Sequence, residues 1–127
     1  MDFEEALVTE FNTISQIEGK VFPLFTGEGV DPPFLVYVSS EGEPERTLTE
    51  FTGMKHVSCE IHVVGQSYEE MKSILKEVIA KITSFRRRNI GDATGPFIHT
   101  LRYEQPEEMF EGDTWIYRAS FDMSVRI

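Results

Sequence analysis

Two histidines and a cysteine are the residues of this sequence best suited to metal chemistry. His56, Cys59 and His62 follow one another at intervals of three residues, and imidazole and thiolate are common zinc ligands. The alternation of apolar and polar residues around them predicts a strand, in which successive side chains face opposite sides. Cys59 would then face away from both histidines, which would themselves be far apart along the strand. We therefore predict no metal centre here and no nucleophilic role for Cys59.

Glu60 and His62 are candidates for general acid-base chemistry. They are two positions apart on one face of the same strand, where a carboxylate can orient an imidazole. No nucleophile stands beside them in the sequence, and solvated polar residues are ordinary on a half-buried strand. The solvated interpretation is favoured. The alternative is a small hydrolase or ligand-binding protein that uses His62, Glu60 and an acidic loop.

The glycine-rich and paired-acid segments do not match the spacing of known ligand sites. Gly27-Glu28-Gly29 begins like a dinucleotide-binding loop, but Pro32 stands where the third glycine belongs and a strand follows instead of a helix. Glu107 and Glu108 lack the glycine-centred oxygen spacing of a calcium loop. The sequence therefore predicts no cofactor.

The acidity of the chain limits its partners. Its 127 residues include 22 acidic and 12 basic residues, a formal net charge of -10. General nucleic-acid binding needs a cationic surface and is disfavoured. The surplus of acidic residues favours solubility, or forms a surface that DNA passes without binding. Part of it lies in residues 39–50, predicted to be a mobile solvated loop with carboxylates at Glu41, Glu43, Glu45 and Glu50.

Cysteine content and chain length predict the broad class of protein. A single cysteine cannot form an internal disulfide, which fits a reducing compartment. Acidic residues at the N-terminus and the lack of a long apolar run predict a soluble, unexported protein with no membrane contact. At this length we expect a single domain over residues 1–127.

Three consecutive arginines, Arg86, Arg87 and Arg88, follow the end of a predicted helix. Cations at this position commonly satisfy the last helical carbonyls or pair with acids of the same chain. Arginine is also enriched at protein interfaces, so a neighbouring subunit could supply the carboxylates. Both interpretations are open at this stage.

The elements that position these residues are clearest between His56 and Phe85. Apolar residues first recur every second position, from Val57 to Val63, which predicts a half-buried strand. Ser67 and Glu70 then form a capping box, with Glu70 expected to reach the Ser67 amide. The apolar stripe of the following helix comprises Met71, Ile74, Leu75, Val78, Ile79, Ile82 and Phe85.

The remaining pattern predicts an α+β fold in the order α-β-β-α-β-β. An N-terminal helix ends at Gly19, and strands are expected at residues 34–38, 97–103 and 115–127, the last with Trp115 and Tyr117 facing inward. Residues 106–112 are expected to form a turn. We thus predict a mainly antiparallel or mixed four-stranded sheet with two helices on one face.

In order, spacing and length these pieces resemble the phage tail-completion family, which includes tail terminators and head-tail joining proteins. The resemblance rests on an N-terminal helix and on several short segments that span nearly the whole chain. These segments are Val21-Phe22-Pro23, Pro32-Pro33-Phe34-Leu35-Val36-Tyr37, the strand Val57 to Val63, Ser67-Tyr68-Glu69-Glu70, and Tyr117-Arg118-Ala119-Ser120-Phe121-Asp122-Met123-Ser124-Val125.

The resemblance implies a non-enzymatic structural protein without catalytic residues. It implies a homo-oligomeric ring, commonly a hexamer, that caps the tail tube and docks it to the head connector, in the host cytoplasm during assembly and in the tail of the virion. DNA would pass through the ring without specific binding. The terminator and joining roles are both compatible with these residues.

Two hypotheses connect the charged residues to a ring. Arg86, Arg87 and Arg88 would meet acids of the adjacent subunit, as heterologous contacts require two complementary patches. The loop at residues 39–50 would either face the central channel or become ordered on a tail or connector partner. A regulatory adaptor that binds one partner through this loop, as a monomer or dimer, is a further alternative.

Overall fold

The computed structural model describes residues 1–24, 29–48 and 50–127, and it confirms the α+β class. Within these ranges the chain forms two α-helices, one short 3-10 helix and seven strands of a single mixed sheet. In chain order the elements are α1 (Phe3–Phe11), the 3-10 helix (Ser15–Ile17), β1 (Val21–Pro23), β2 (Phe34–Ser39), β3 (Glu43–Arg46), β4 (Phe51–Gly65), α2 (Tyr68–Thr83), β5 (Thr100–Tyr103), β6 (Glu107–Glu111) and β7 (Ile116–Arg126).

Two long antiparallel strands form the centre of the sheet. β4 has 15 residues and β7 has 11, and they pair from His56 opposite Arg126 to Gly65 opposite Tyr117. On the side of β4 away from β7, β2 pairs with one part of β4 and β3 pairs with the other part. On the side of β7 away from β4, β5 and β6 share β7 in the same way. β1 pairs in parallel with β2. Each long strand therefore has two shorter neighbours in succession.

The prediction of four strands was wrong, because three short strands were not recognised. β1 lies in a brief apolar run, whereas β3 and β6 lie where a loop and a turn were predicted. β3 has the sequence Glu-Pro-Glu-Arg, with no apolar alternation, and β6 leaves its apolar residues exposed. Their backbones are instead held by pairing with β4 and β7.

The core lies between one face of the sheet and the two helices, as predicted. On β4 the buried residues of this face are Val57, Cys59, Ile61 and Val63, the alternating set that the sequence indicated. Helix α2 packs against them with its apolar stripe, and α1 adds Phe3, Ala6, Leu7 and Phe11. Among the described residues, the opposite face has a smaller apolar cluster of Phe34, Val36 and Val64, against which Phe22, Val30 and Ile116 pack.

Both helices begin with side-chain caps. Asp2 Oδ1 accepts from the Glu5 amide at 2.8 Å, and Ser67 Oγ accepts from the Glu70 amide at 3.1 Å. The Glu70 carboxylate accepts from the Gln66 amide, one residue before the Ser67 amide that we predicted. These contacts satisfy amides that the first turn leaves without helical partners. Neither described helix is both long and apolar enough to span a membrane.

Candidate functional site

Glu60 and His62 lie together on the polar face of β4, but their geometry does not favour catalysis. His62 Nε2 is 2.7 Å from Glu60 Oε1. The other ring nitrogen, Nδ1, is buried and has no hydrogen-bond partner among the described residues. Ser120 is opposite His62 in the sheet register, but the hydrogen-bond partner that the His62 ring has among the described residues is Glu60. A general base needs an accessible nitrogen near the proton it removes.

The polar face beside Glu60 is acidic. A cavity of about 170 Å³ is lined there by Glu60, Glu104, Gln105, Glu107, Ser120, Phe121 and Asp122. His62 does not line it. Among residues 1–24, 29–48 and 50–127, no group of three or more histidine, cysteine, aspartate or glutamate side chains is arranged to hold a metal ion.

Cys59 points into the core, as the alternation predicted. It is 1% exposed, and burial raises the pKa of its thiol to about 12. A protonated, buried thiol is neither a nucleophile nor a metal ligand. Of the glycine-rich segment, Gly27 and Glu28 lie outside the described residues, so the structure does not test the prediction made for them.

Residues 39–50, predicted to be a mobile loop, include an ordered strand instead. β3 pairs with the first part of β4, and together they form a hairpin that we call the arm (residues 43–48 and 50–55). Gly42 leads into it with a φ of +85, and a Cβ there would lie 2.6 Å from the His56 carbonyl oxygen. Only glycine fits this close crossing. The chain can thus pass from β2 to β3 along the same side of β4.

The arm extends beyond the rest of the sheet. β7 ends beside Lys55, whose amide and carbonyl both bond to Ile127. Residues 51–54 of β4 therefore pair only with β3, and four residues span about 13 Å in a strand. Leu48 is fully exposed and Phe51 is 66% exposed on this extension.

The four acids that we grouped together differ in their surroundings. Glu45 binds the Arg126 guanidinium through two hydrogen bonds of 2.8 and 2.9 Å, and Glu45 Oε2 is 3.0 Å from His56 Nε2. The bonds to Arg126, reinforced by His56, lower the pKa of Glu45 to about 2. Glu41, Glu43 and Glu50 are exposed. Glu45 thus holds the arm against β7, and the other three carboxylates point to solvent.

The three arginines also differ. Arg88 donates from Nη1 and Nη2 to the two carboxylate oxygens of Glu10, at 3.0 and 2.8 Å, and the Gly91 amide donates to the same carboxylate at 2.7 Å. These contacts lower the pKa of Glu10 and raise that of Arg88. Arg88 is therefore engaged within its own chain, contrary to its predicted place with Arg86 and Arg87 at an interface. Arg86 and Arg87 are exposed.

Arg86 and Arg87 lie next to one edge of the sheet. The Arg87 amide donates to the Ile98 carbonyl at 2.7 Å, and β5 begins two residues later. Arg102 is exposed on β5. We call Arg86, Arg87 and Arg102 the basic edge. The sequence placed Arg102 in a strand but did not connect it with the other two.

The end of the sheet opposite the arm has an exposed aromatic cluster. Trp115 was predicted to face inward but is 76% exposed, in the turn before β7 with a φ of +56. Its ring centre is 5.8 Å from that of Phe110, which also contacts Tyr117. Tyr117 is half-buried and packs against the core, in agreement with its predicted orientation. Trp115 is outward because the strand begins one residue after it.

Glu10 and Arg126 are important residues that sequence reasoning missed. Glu10 is 9% exposed and takes a place on the apolar stripe of α1, between Leu7 and Phe11. A carboxylate on such a stripe is a signal that a cation must approach it from another element. No comparable signal marked Arg126, which alternates with apolar residues as expected for the polar face of β7.

The fold is similar to that of a known virion component. No protein-family model matches the sequence, and no curated protein matches it. Among solved structures, a chain of the virion of a native gene transfer agent particle has a TM-score of 0.62. The similarity covers 88% of this chain and 81% of that chain, at 8% sequence identity. At this identity the comparison establishes a shared fold.

Proposed function

We propose that this chain is a structural protein of a tailed phage or prophage, of the tail-completion type. It forms a homo-oligomeric ring, a hexamer, at the head-proximal end of the tail tube. There it joins the tube to the head connector. Its activity lies in assembly geometry, and the protein acts in the bacterial cytoplasm during assembly and afterwards in the virion tail.

The observation that supports this proposal best is the fold similarity to a chain of a gene transfer agent virion over most of both chains. The residue pattern independently resembles tail-completion proteins over nearly the whole sequence. The two lines of support agree on a virion particle, although they come from backbone geometry and from sequence order respectively.

The surface supports an assembly role. Both ends of the long central strands carry exposed large apolar residues, Leu48 and Phe51 at one end and Phe110 and Trp115 at the other. Exposed apolar residues that cluster commonly mark protein contacts, and the rings of Phe110 and Trp115 do so with their centres 5.8 Å apart. A component that joins tube to connector needs a contact at each end. The net charge of -10 suits a ring through which DNA passes without specific binding.

The first test is the oligomeric state of the purified chain, by light scattering coupled to size exclusion and by negative-stain electron microscopy. We expect closed rings of six copies with a central opening. A monomer or dimer at every concentration, with or without tail tube protein, would favour the adaptor alternative and contradict the proposal.

The second test is deletion of the gene from the phage or prophage that encodes it. A tail terminator predicts tails of irregular length, whereas a head-tail joining protein predicts tails of normal length that are not attached to heads. Electron microscopy of the lysate distinguishes these outcomes. Normal, infectious particles would contradict both roles.

A further inference from the structure

The part of the sheet nearest the arm has opposite charges at its two lateral edges. In one row of the register, Glu43 pairs with His56, His56 with Arg126, and Arg126 with Thr100. This row crosses β3, β4, β7 and β5, a width of about 14 Å at the usual strand spacing. Glu43 is at one end of the row. Thr100, with Arg102 two residues further along β5, is at the other.

The carboxylates at the arm side are available for contact. Glu41, Glu43 and Glu50 are exposed, and the side chain of Glu41 is 98% accessible although its Oε2 forms an ion pair with Lys55 Nζ at 4.0 Å. Arg46 is the opposing charge on β3. We call Glu41, Glu43 and Glu50 the acidic arm group. Glu45 is excluded because Arg126 and His56 already bind it.

The arginines at the other side are equally available. Arg86, Arg87 and Arg102 are exposed, and none makes an ion pair with another described residue. Arg88 is excluded because Glu10 binds it. Among the described residues, β3 and β5 each pair with one strand only, so both lateral edges have an unpaired side. Unpaired edges are places where another chain can be received.

We propose that the acidic arm group of one copy contacts the basic edge of the next copy in the ring. A rotation about an axis roughly parallel to the strands brings the β3 side of one copy to the β5 side of its neighbour, at the same height. Such a contact is heterologous and repeats until the ring closes. The inference rests on the proposed ring and specifies its lateral contact.

Charge explains why this contact is selected. Copies with a net charge of -10 repel one another over most of their surface. An edge with three unpaired arginines is a place where an acidic neighbour is attracted. Opposite charges at an interface favour the correct register, and like charges suppress wrong ones.

Complementary charge reversal tests the contact. The edge variant carries Arg86→Glu and Arg87→Glu, and the arm variant carries Glu41→Arg and Glu43→Arg. Each alone places like charges together, and we expect roughly a 100-fold or greater rise in the dissociation constant of the ring. Sedimentation velocity measures assembly, and circular dichroism with urea unfolding verifies that both variants fold.

Mixing the two variants gives the sharper result. In the mixture, the unchanged acidic arm group of the edge variant meets the unchanged basic edge of the arm variant. The reversed, basic arm group of the arm variant meets the reversed, acidic edge of the edge variant. We expect equimolar mixtures to form rings with alternating subunits, and a chain carrying all four changes to assemble alone. The control of equal charge is a single Lys76→Glu change on the exposed side of α2, which should leave assembly unchanged. It is compared with the single change Arg86→Glu, which should weaken assembly.

Each outcome decides the inference. Loss of assembly by each variant and its recovery on mixing support it. Rings formed by either variant alone, or no recovery on mixing, overturn the contact while the ring itself stands. A wild-type chain that never forms rings overturns both the contact and the ring function.

Two further readouts test the contact. Salt screens both the general repulsion between acidic copies and the attraction at the contact, so raising salt from about 0.05 M to about 0.5 M should favour assembly of the edge variant more than that of wild type. The milder Arg86→Gln, Arg87→Gln chain should assemble less well than wild type and better than the edge variant. Duplex DNA binding that is lost in the edge variant while its rings persist would assign the basic edge to DNA and overturn the proposal.

Discussion

The helix-covered part of the sheet and the arm share the strand β4 but are stabilised by different means. From Val57 to Val63 alternate residues are buried under both helices, whereas residues 51–54 pair only with β3 and are largely exposed. The first part is held by apolar packing. The arm is held by backbone pairing and by the Glu45–Arg126 pair. We infer that folding stability resides in the covered part and that the arm is left available for contacts.

The largest expected effect on stability is in the covered part. Phe11 is fully buried, and its ring centre is 6.2 Å from that of Phe85. Phe11→Ala would leave a cavity between α1 and the end of α2 and should lower the free energy of unfolding by about 3–5 kcal/mol. Urea unfolding followed by circular dichroism measures this loss. A loss below about 1 kcal/mol would mean that α1 is not part of the core.

The sequence predicted this covered part well because its signals are local. The alternation on β4 and the stripe on α2 each follow from a repeating spacing that burial on one face requires. β3 and β6 could not be recognised in this way, since their pairing with β4 and β7 is made by backbone groups that any sequence carries. An edge strand with solvent on its outer side has no need of apolar alternation.

The candidate site was less accessible to sequence reasoning because its contacts are distant in the chain. Arg88 and Glu10 are 78 residues apart, and Glu45 and Arg126 are 81 apart. Nothing local distinguishes Arg88 from Arg86 and Arg87, or Glu45 from Glu43. Tertiary contacts decide which member of each charged run is used internally and which remains exposed.

The Glu10–Arg88 pair should have the next largest effect, because it joins α1 to the segment after α2. The Glu10 side chain is 11% accessible and that of Arg88 is 38% accessible. Glu10→Gln would keep the shape of the side chain but lose its charge. It should lower the free energy of unfolding by about 1–2 kcal/mol, a value reduced from that of a fully buried pair because Arg88 is partly solvated. Glu5→Gln, on the exposed side of the same helix, should cost less than about 0.5 kcal/mol.

The pH dependence of stability provides a separate check on this pair. The bonds from Arg88 hold the pKa of Glu10 below its ordinary value of 4.5. A carboxyl whose pKa is lowered by folding contributes stability above its unfolded pKa and loses it as pH falls through the folded pKa. Wild type should therefore lose more stability than Glu10→Gln between pH 6 and the lowered pKa. Parallel curves would contradict the assignment.

The Glu45–Arg126 pair should affect the arm more than the whole fold. Because the pKa of Glu45 is about 2, the pair contributes stability above about pH 4.5, and this contribution is lost as pH falls towards 2. Glu45→Gln should speed hydrogen exchange at the amides of residues 51–54 by several-fold and leave the urea midpoint nearly unchanged. Glu43→Gln is the control, because its carboxylate is exposed beside Glu45 on β3. Equal exchange in both variants would show that the arm is held by backbone pairing alone.

The smallest effect on stability is expected at the exposed apolar residue of the arm. Phe51 is 66% exposed, so Phe51→Ala should change the free energy of unfolding by less than about 0.5 kcal/mol, in contrast to the same substitution at Phe11. If the arm serves assembly, the variant should nevertheless bind a neighbouring copy or tail partner more weakly, which sedimentation measures. A large loss of stability would place Phe51 in the folding core. Unchanged stability with unchanged assembly would remove Phe51 from the contact and leave the charged groups to account for it.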